Sequence, residues 1–427
     1  MNREAVMTAF ERKPLSPNVL ERIARDIFFR RLAGLRAGAV TVEDATGVQD
    51  FGDASAALEL QSRIHVVRPR FYRRALLGGS LGVAASWIDG DWECDNLAGL
   101  FRSVLRGLNP DDVERGGFLR LWAARVAHGL RRNTRSGSQR NIKDHYDLGN
   151  DLFALFLDES MTYSSGIFEH ANATLEQAQF TKLDRICRKL DLGPNDHVLE
   201  IGTGWGSFAL HAAKHYGCRI TTTTLSPAQY VVAEERVREA GLCDRITLLQ
   251  EDYRDLAGTY DKVVAIEMIE AVGADNLATF FECCASRLAN GGRMLIQVIT
   301  TGDQYYDEYR HSVDFIQQYV FPGSHCPALG ALIRASGGAS DLRMIHLEDI
   351  TLHYAETLRQ WRRRFFEQLD QVRALGYPER FIRLWDYYLQ YCEAGFEERH
   401  IGDLQLIFAK PDCRDDSLLP TLQGHAA

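Results

Sequence analysis

The chain has 427 residues, 45% of them apolar and 25% charged, with 49 Lys+Arg against 58 Asp+Glu and a formal net charge of -9. That length exceeds one compact core of ordinary size and implies two or more domains, while the balance of apolar and charged residues excludes a disordered or fibrous chain. No apolar run approaches a bilayer span, Met1-Asn2-Arg3-Glu4-Ala5 starts no signal-peptide core, and nine cysteines without metal-like spacing suit reduced thiols, so a cytoplasmic protein without a bound metal is expected.

In chain order, a helix is expected over residues 18–35. A strand-rich stretch with Ile64-His65-Val66-Val67 follows, then a turn-rich Ser86-Trp87-Ile88-Asp89-Gly90-Asp91-Trp92. Residues 1–140 hold 22 basic and 16 acidic side chains, so the negative charge lies in the remainder. The positive end is concentrated in residues 115–143, with eight Lys or Arg and no acid among Phe118, Leu121, Trp122 and Val126. That spacing is of an amphipathic helix suited to an anionic membrane surface, a solvated linker face being the alternative. The polar run 133–139 reads as a linker, with a second domain beginning near Asn141.

From His197 the pattern alternates. Strands are expected near 197–202, 218–225, 245–250, 261–268 and 292–300, with helices near 206–216, 227–240 and 274–289. Such alternation implies an α/β fold with a doubly wound parallel sheet. Helices over 358–375 and 379–396, a closing strand at 404–408 and a disordered tail past Asp412 complete the chain.

Val198-Leu199-Glu200-Ile201-Gly202-Thr203-Gly204-Trp205-Gly206 is a buried strand that breaks into a glycine loop and enters a helix, the arrangement that turns backbone amides toward a nucleotide cofactor. A dinucleotide fingerprint wants a third glycine where Ser207 stands and an acid at the end of the next strand, which instead reads Thr221-Thr222-Thr223-Thr224-Leu225-Ser226. S-adenosylmethionine therefore fits better than NAD, and a tight turn with no ligand stays open at this point.

Further blocks are His145-Tyr146-Asp147-Leu148-Gly149-Asn150-Asp151 with Met161-Thr162-Tyr163-Ser164-Ser165, Thr224-Leu225-Ser226-Pro227-Ala228-Gln229, Glu251-Asp252-Tyr253-Arg254-Asp255-Leu256, and Ile266-Glu267-Met268-Ile269-Glu270-Ala271-Val272-Gly273. With the glycine loop and Asp314-Phe315-Ile316-Gln317-Gln318-Tyr319-Val320-Phe321-Pro322-Gly323, they resemble the family of cyclopropane fatty acid synthases and mycolic acid cyclopropane synthases. The resemblance covers about residues 141–410 and, more weakly, 80–106. It implies a class I methyltransferase sheet of Rossmann-like type with a smaller N-terminal α+β domain. The expected division is a lipid-contacting domain and basic linker over 1–140, a catalytic domain over 141–410 and a tail over 411–427.

The resemblance further implies S-adenosylmethionine as methyl donor and an unsaturated phospholipid acyl chain as acceptor. A peripheral position at the inner face of a membrane follows, with no nucleic-acid partner and a homodimer left open. Gly202, Gly204, Trp205 and Gly206 would face the methionine part of the cofactor, with Tyr163 and Ser164 closing over it. Thr224, Leu225 and Ser226 would join the cofactor site, with Gln229 replacing the missing carboxylate at the ribose hydroxyls. Asp252 and Tyr253 would meet the adenine as acceptor and flat wall.

Methyl transfer to an alkene leaves a carbocation, and a base must then remove a proton from the new methyl for a ring to close. By resemblance that base is a bound bicarbonate held by Glu270, Tyr354, a histidine and the amides of Ser165 and Ile299. Here Gln297 stands at the histidine position, Ala271 follows Glu270 where many members have histidine, and Ser165 replaces a frequent cysteine. A glutamine donates a hydrogen bond but carries no charge, so a methyl-branched or methylated unsaturated product is the alternative to a cyclopropane. Cys392 matches the family's late cysteine, although the chemistry needs no thiolate and packing explains it equally well. An amine methyltransferase and a catalytically silent lipid-binding protein are the remaining readings.

Overall fold

The computed structural model describes residues 15–107 and 149–414. The expected linker at 133–139, all of the basic segment 115–143, the His145 to Leu148 part of the first block and most of the tail lie outside them. Two compact units emerge, and they are not contiguous in sequence: His311–Val320 and Leu358–His400 pack with the N-terminal segment, while Phe321–Thr357 and the C-terminal strand pack with the central portion. Two inserts of the expected catalytic domain thus belong to the other body. Their aromatic helices need an apolar partner that the N-terminal helices supply.

In the first unit a four-stranded sheet runs β2-β1-β3-β4. Its strands are β1 (Ala39–Asp44), β2 (Gly47–Gly52), β3 (Gln61–Val66) and β4 (Trp92–Cys94). Strands β1 and β2 form an antiparallel hairpin, and β3 lies parallel to β1. The helix expected at 18–35 spans Val19–Leu32, started by an Asn18/Glu21 capping box. The expected turn-rich stretch from Ser86 begins as the last turn of a helix, Arg70–Ile88, whose apolar residues Phe71, Ala75, Leu81, Ala84 and Ile88 are buried, and then turns at Asp89-Gly90 into β4. Glycines at 78, 79, 82 and 90 suggest turns in the sequence. In the fold one of them, Gly79 with φ 53°, kinks the helix, and Gly90 with φ 72° ends it. Helix Glu379–Glu397 packs on helices Arg70–Ile88 and Leu97–Gly107. Arg383 fastens it by donating to the carbonyls of Trp87 and Trp92, its guanidinium 4.5 Å above the Trp87 ring.

The second unit is built on a seven-stranded sheet of order β10-β11-β9-β8-β5-β6-β7. Its strands are β5 (His197–Ile201), β6 (Arg219–Thr223), β7 (Ile246–Leu249), β8 (Tyr260–Ile266), β9 (Leu288–Thr301), β10 (Arg343–Asp349) and β11 (Ile401–Ala409). Strands β5 to β9 pair in parallel, while β11 runs antiparallel between β9 and β10. Helices Leu175–Leu190 and Ser207–Tyr216 cover one face, with Ile186, Leu190, Phe208 and Ala212 against Val198, Val264 and Leu295. Helices Leu277–Arg287 and Leu329–Ala339 cover the other, where Phe280, Phe281 and Leu332 meet Leu199, Val263 and Ile296. Each such apolar side chain taken out of water contributes about 1.5–3 kcal/mol, and two covered faces explain why the central strands read as continuous aliphatic runs. Edge strand β10, with exposed Met344, Ile345 and Leu347, escapes the sequence pattern.

Candidate active site

The loop after β5 behaves as its glycines demand. Gly202 and Gly204 take φ of 101° and 53°, and Gly206 precedes helix Ser207–Tyr216. A Cβ on Gly202 would lie 3.0 Å from Met268 Cγ, whereas one on Gly204 would meet no heavy atom within 4 Å. The loop is thus pressed against the segment that follows β8 and open above Gly204, a cradle that fits the cofactor expected from the sequence. Trp205 is buried, its indole nitrogen donating to Asn150 Oδ1 at 2.8 Å and its ring 5.1 Å from Phe153. Phe153 also touches Tyr163, at 5.0 Å between rings, which ties the 161–165 segment to the glycine loop. Arg236 locks both by donating to the carbonyls of Trp205 and Ser160, at 2.7 and 2.8 Å.

Beyond β6, Thr224, Ser226 and Gln229 form a hydrogen-bonded turn. Ser226 Oγ caps helix Pro227–Glu239, and the Gln229 carbonyl accepts from Thr224 Oγ1 at 3.1 Å. Leu225 is partly buried within that turn. Asp252, past β7, is held by Arg254 at 2.8 and 2.6 Å, an ion pair that the sequence does not announce. Tyr253 stands beside it, its ring 5.6 Å from Phe280.

The residues expected around an anion do converge, but on a side chain of the protein. Glu267, immediately after β8, accepts from Ser165 N at 3.0 Å and from Gln297 Nε2 at 2.7 Å on Oε1, and from the Tyr354 hydroxyl at 2.7 Å on Oε2. The Ile299 amide donates to Glu270 Oε1 at 2.6 Å. Both amides, the tyrosine and the glutamine are therefore engaged by carboxylates, and a bicarbonate would have to displace them among acidic side chains. The residues present do not fit that ion.

Gln297 is fixed in turn. It also donates to Asp403 Oδ2 at 3.1 Å and accepts from Gln405 Nε2 at 3.0 Å, while Gln405 accepts from Lys189 at 2.6 Å. Lys182 is buried with its ammonium on Ser164 Oγ at 2.7 Å. Burial pulls Lys182 down to about 8, opposed first by the charge of Glu267. Burial pushes Glu270 up to about 8, reinforced by Glu267, and raises Glu267 and Asp403 as well. Glu270 is part-exposed as a residue, yet its Oε2 is closed off from solvent with no hydrogen-bond partner among the described residues. Glu267 has φ 48°, a left-handed conformation that costs a non-glycine residue about 1–3 kcal/mol and is retained where the surroundings enforce it.

The structure brings Ser165, Gln297 and Tyr354 onto Glu267 and Ile299 onto Glu270, while the sequence reading misses the acids and the cation around them: Glu267, Asp403 and Lys182. The signal available was Glu267 three residues before Glu270, together with a glutamine where a charged-capable histidine was expected. Cys392 lies on helix Glu379–Glu397 of the other unit.

A parallel-rich seven-stranded sheet with one antiparallel strand next to its edge, and a glycine loop at the end of the interior strand β5, defines a class I methyltransferase. Residues 133–406 match the family model for mycolic acid cyclopropane synthetase. The chain is 39% identical over 341 residues to tuberculostearic acid methyltransferase UfaA1 of Mycobacterium tuberculosis, covering 78% of this chain and 79% of that one. Over 352 residues it is 36% identical to cyclopropane-fatty-acyl-phospholipid synthase of Escherichia coli, covering 81% and 87%. The solved structure of mycolic acid cyclopropane synthase CmaA1 complexed with SAH and CTAB superposes with a TM-score of 0.58 at 27% identity, covering 64% of this chain and 98% of that one. The chain belongs to the mycolic acid cyclopropane synthetase family of S-adenosylmethionine-dependent methyltransferases. Among the described residues no helix is long and apolar enough to cross a membrane.

Proposed function

We propose that this protein methylates the double bond of an unsaturated phospholipid acyl chain and resolves the resulting cation by proton loss, a cyclopropane being the leading product. The observation that carries this reading is the acidic cluster of Glu267, Glu270 and Asp403 beside the glycine loop, with Met268 packed against Gly202. S-adenosylmethionine supplies an electrophilic methyl on a sulfonium. The protein holds the glycine loop through Trp205 and Arg236, presents buried carboxyls where positive charge develops, and keeps water away with Met268 and Ile299. Ser165 and Tyr354 fix the carboxyl that faces the reacting carbons. A methyl-branched or methylated unsaturated chain is the second outcome for the same cation, favoured by the 39% identity to an enzyme named for tuberculostearic acid.

An acyl double bond lies inside a leaflet, so the enzyme must work at a membrane surface. The basic segment 115–143 supplies the contact in this reading, placing the protein peripherally on an anionic inner leaflet. Labelled S-adenosylmethionine incubated with phospholipid vesicles tests the function: label passes to unsaturated lipid and not to fully saturated lipid. Equal labelling of saturated lipid, or labelling of a head-group amine, contradicts it. Absence of affinity for both the cofactor and its demethylated product would leave a silent lipid-binding protein.

A further inference from the structure

Glu267 combines two features that demand an explanation. Its backbone is held at φ 48°, and three donors from three separate parts of the chain close on its carboxylate. One donor is a backbone amide of the 161–165 segment, one an amide group on β9 and one a hydroxyl from helix Thr351–Glu367. The Gln297 amide is turned toward Glu267 because its oxygen is occupied by Gln405, which Lys189 orients. A donor-only set favours the ionised form of the group it surrounds.

The neighbouring acids are placed differently. Among the described residues Glu270 has one amide donor and one unpartnered oxygen, and Asp403 shares the Gln297 amide and leaves Oδ1 without a partner. Lys182 faces Glu267 and Asp403, and Glu270 lies beside Glu267; among these three carboxyls the hydrogen bonds assign the negative charge to Glu267. Like charges this close leave the other two protonated.

Resting on the proposed methylation of an acyl double bond, we infer that the Glu267 carboxylate is the base of the reaction and stands in for the bicarbonate that the family resemblance implies. After the alkene electron pair has formed the new carbon–carbon bond and the carbon–sulfur bond has broken toward sulfur, the adjacent chain carbon is cationic. Glu267 takes a proton from the transferred methyl. The C–H electron pair becomes a bond to the cationic carbon and closes the ring. If a hydride first moves from the methyl-bearing carbon to the cationic carbon, the same proton loss yields a methylidene group, C=CH2, on the open chain. The proton remains on Glu267 until product leaves and solvent removes it. Tyr354, Gln297 and Ser165 act through Glu267 and are positioning residues.

The test uses the full chain with unsaturated phospholipid vesicles in buffer freed of carbon dioxide, with and without added bicarbonate. Wild type is expected to turn over equally in both. Glu267→Gln is expected to lose about 100-fold or more in rate, the scale of a general base, while its affinity for the demethylated cofactor stays unchanged. Glu267→Gly frees the three donors, so it is expected to bind isotopically labelled bicarbonate by NMR and to regain rate when that ion is added, whereas wild type binds none. A wild-type enzyme that binds labelled bicarbonate or is accelerated severalfold by it overturns the inference, as does full activity of Glu267→Gln. A wild type that methylates no unsaturated lipid under either condition overturns the functional reading instead, and the binding comparison then shows separately whether Glu267 occupies the anion site.

Discussion

Replacing Tyr354 by phenylalanine removes one oxygen and little else. The hydroxyl donates to Glu267 Oε2 at 2.7 Å in a buried site, and Tyr354 is one of the groups that hold the Glu267 carboxyl down against burial. A hydrogen bond to a buried charge is worth about 1.5–3 kcal/mol, equivalent to a fall of about ten- to a hundredfold in kcat/KM if the bond serves the ionised base. Loss of the bond also makes Glu267 easier to protonate, so the acid limb of the pH–rate profile moves to higher pH. The assay is transfer of labelled methyl to unsaturated vesicles across pH, with binding of the demethylated cofactor as a control. A Tyr354→Phe enzyme whose acid limb stays in place, or whose rate falls equally at every pH, refutes the reasoning.

Other expectations follow from the same contacts. Gly202→Ala places a Cβ against Met268 at a φ of 101°, costing about 1–2 kcal/mol in backbone strain, and should weaken binding of the demethylated cofactor in calorimetry more than it lowers Tm; unchanged affinity argues against the loop as the cofactor cradle. Glu270 holds its proton up to about 8, so the folded chain keeps a proton that the unfolded chain releases in the ordinary carboxyl range, and this group's stabilisation is lost as pH rises from there through about 8. Glu270→Gln should flatten that part of the Tm–pH curve by an effect on the order of a few kcal/mol, and parallel curves for the two proteins would count against a protonated Glu270. Neutralising Arg125, Arg131, Arg132 and Arg135 should weaken flotation with anionic vesicles by roughly 1 kcal/mol per charge at low salt and by less at high salt. Binding that is indifferent to these changes rejects the basic segment as the contact.

Strands β5, β8 and β9 were legible because burial on both faces selects largely aliphatic runs, β6 because its isoleucine and threonines are β-branched, and the glycine loop because only glycine takes its dihedrals freely. Helix Arg70–Ile88 was not: its glycines and small residues suggest turns, and only burial among Phe71, Trp87 and Trp92 makes the segment helical. The expectation of one catalytic stretch from 141 to 410 failed to anticipate that 311–320 and 358–400 pack elsewhere, since helix periodicity names an apolar face without naming its partner. In the site, Ser165, Glu270, Gln297, Ile299 and Tyr354 could be placed by motif. Glu267 could not, because a carboxylate at the end of a strand looks like a solvated residue until donors from distant segments are seen to meet it. Asp403 and Lys182 share that difficulty, Asp403 as the one charge of strand Ile401–Ala409 and Lys182 as one of several charges along helix Leu175–Leu190, whose burial the sequence does not single out.

The central claim is that a base takes a proton from the transferred methyl. S-adenosylmethionine carrying a fully deuterated methyl, given to the wild-type enzyme with unsaturated phospholipid, tests it in one mass spectrum of the released acyl chains. The account predicts an acyl chain that has gained the carbon with two of its three deuterons, the third lost to the enzyme. Retention of all three deuterons, or a label found in the head group, would contradict it.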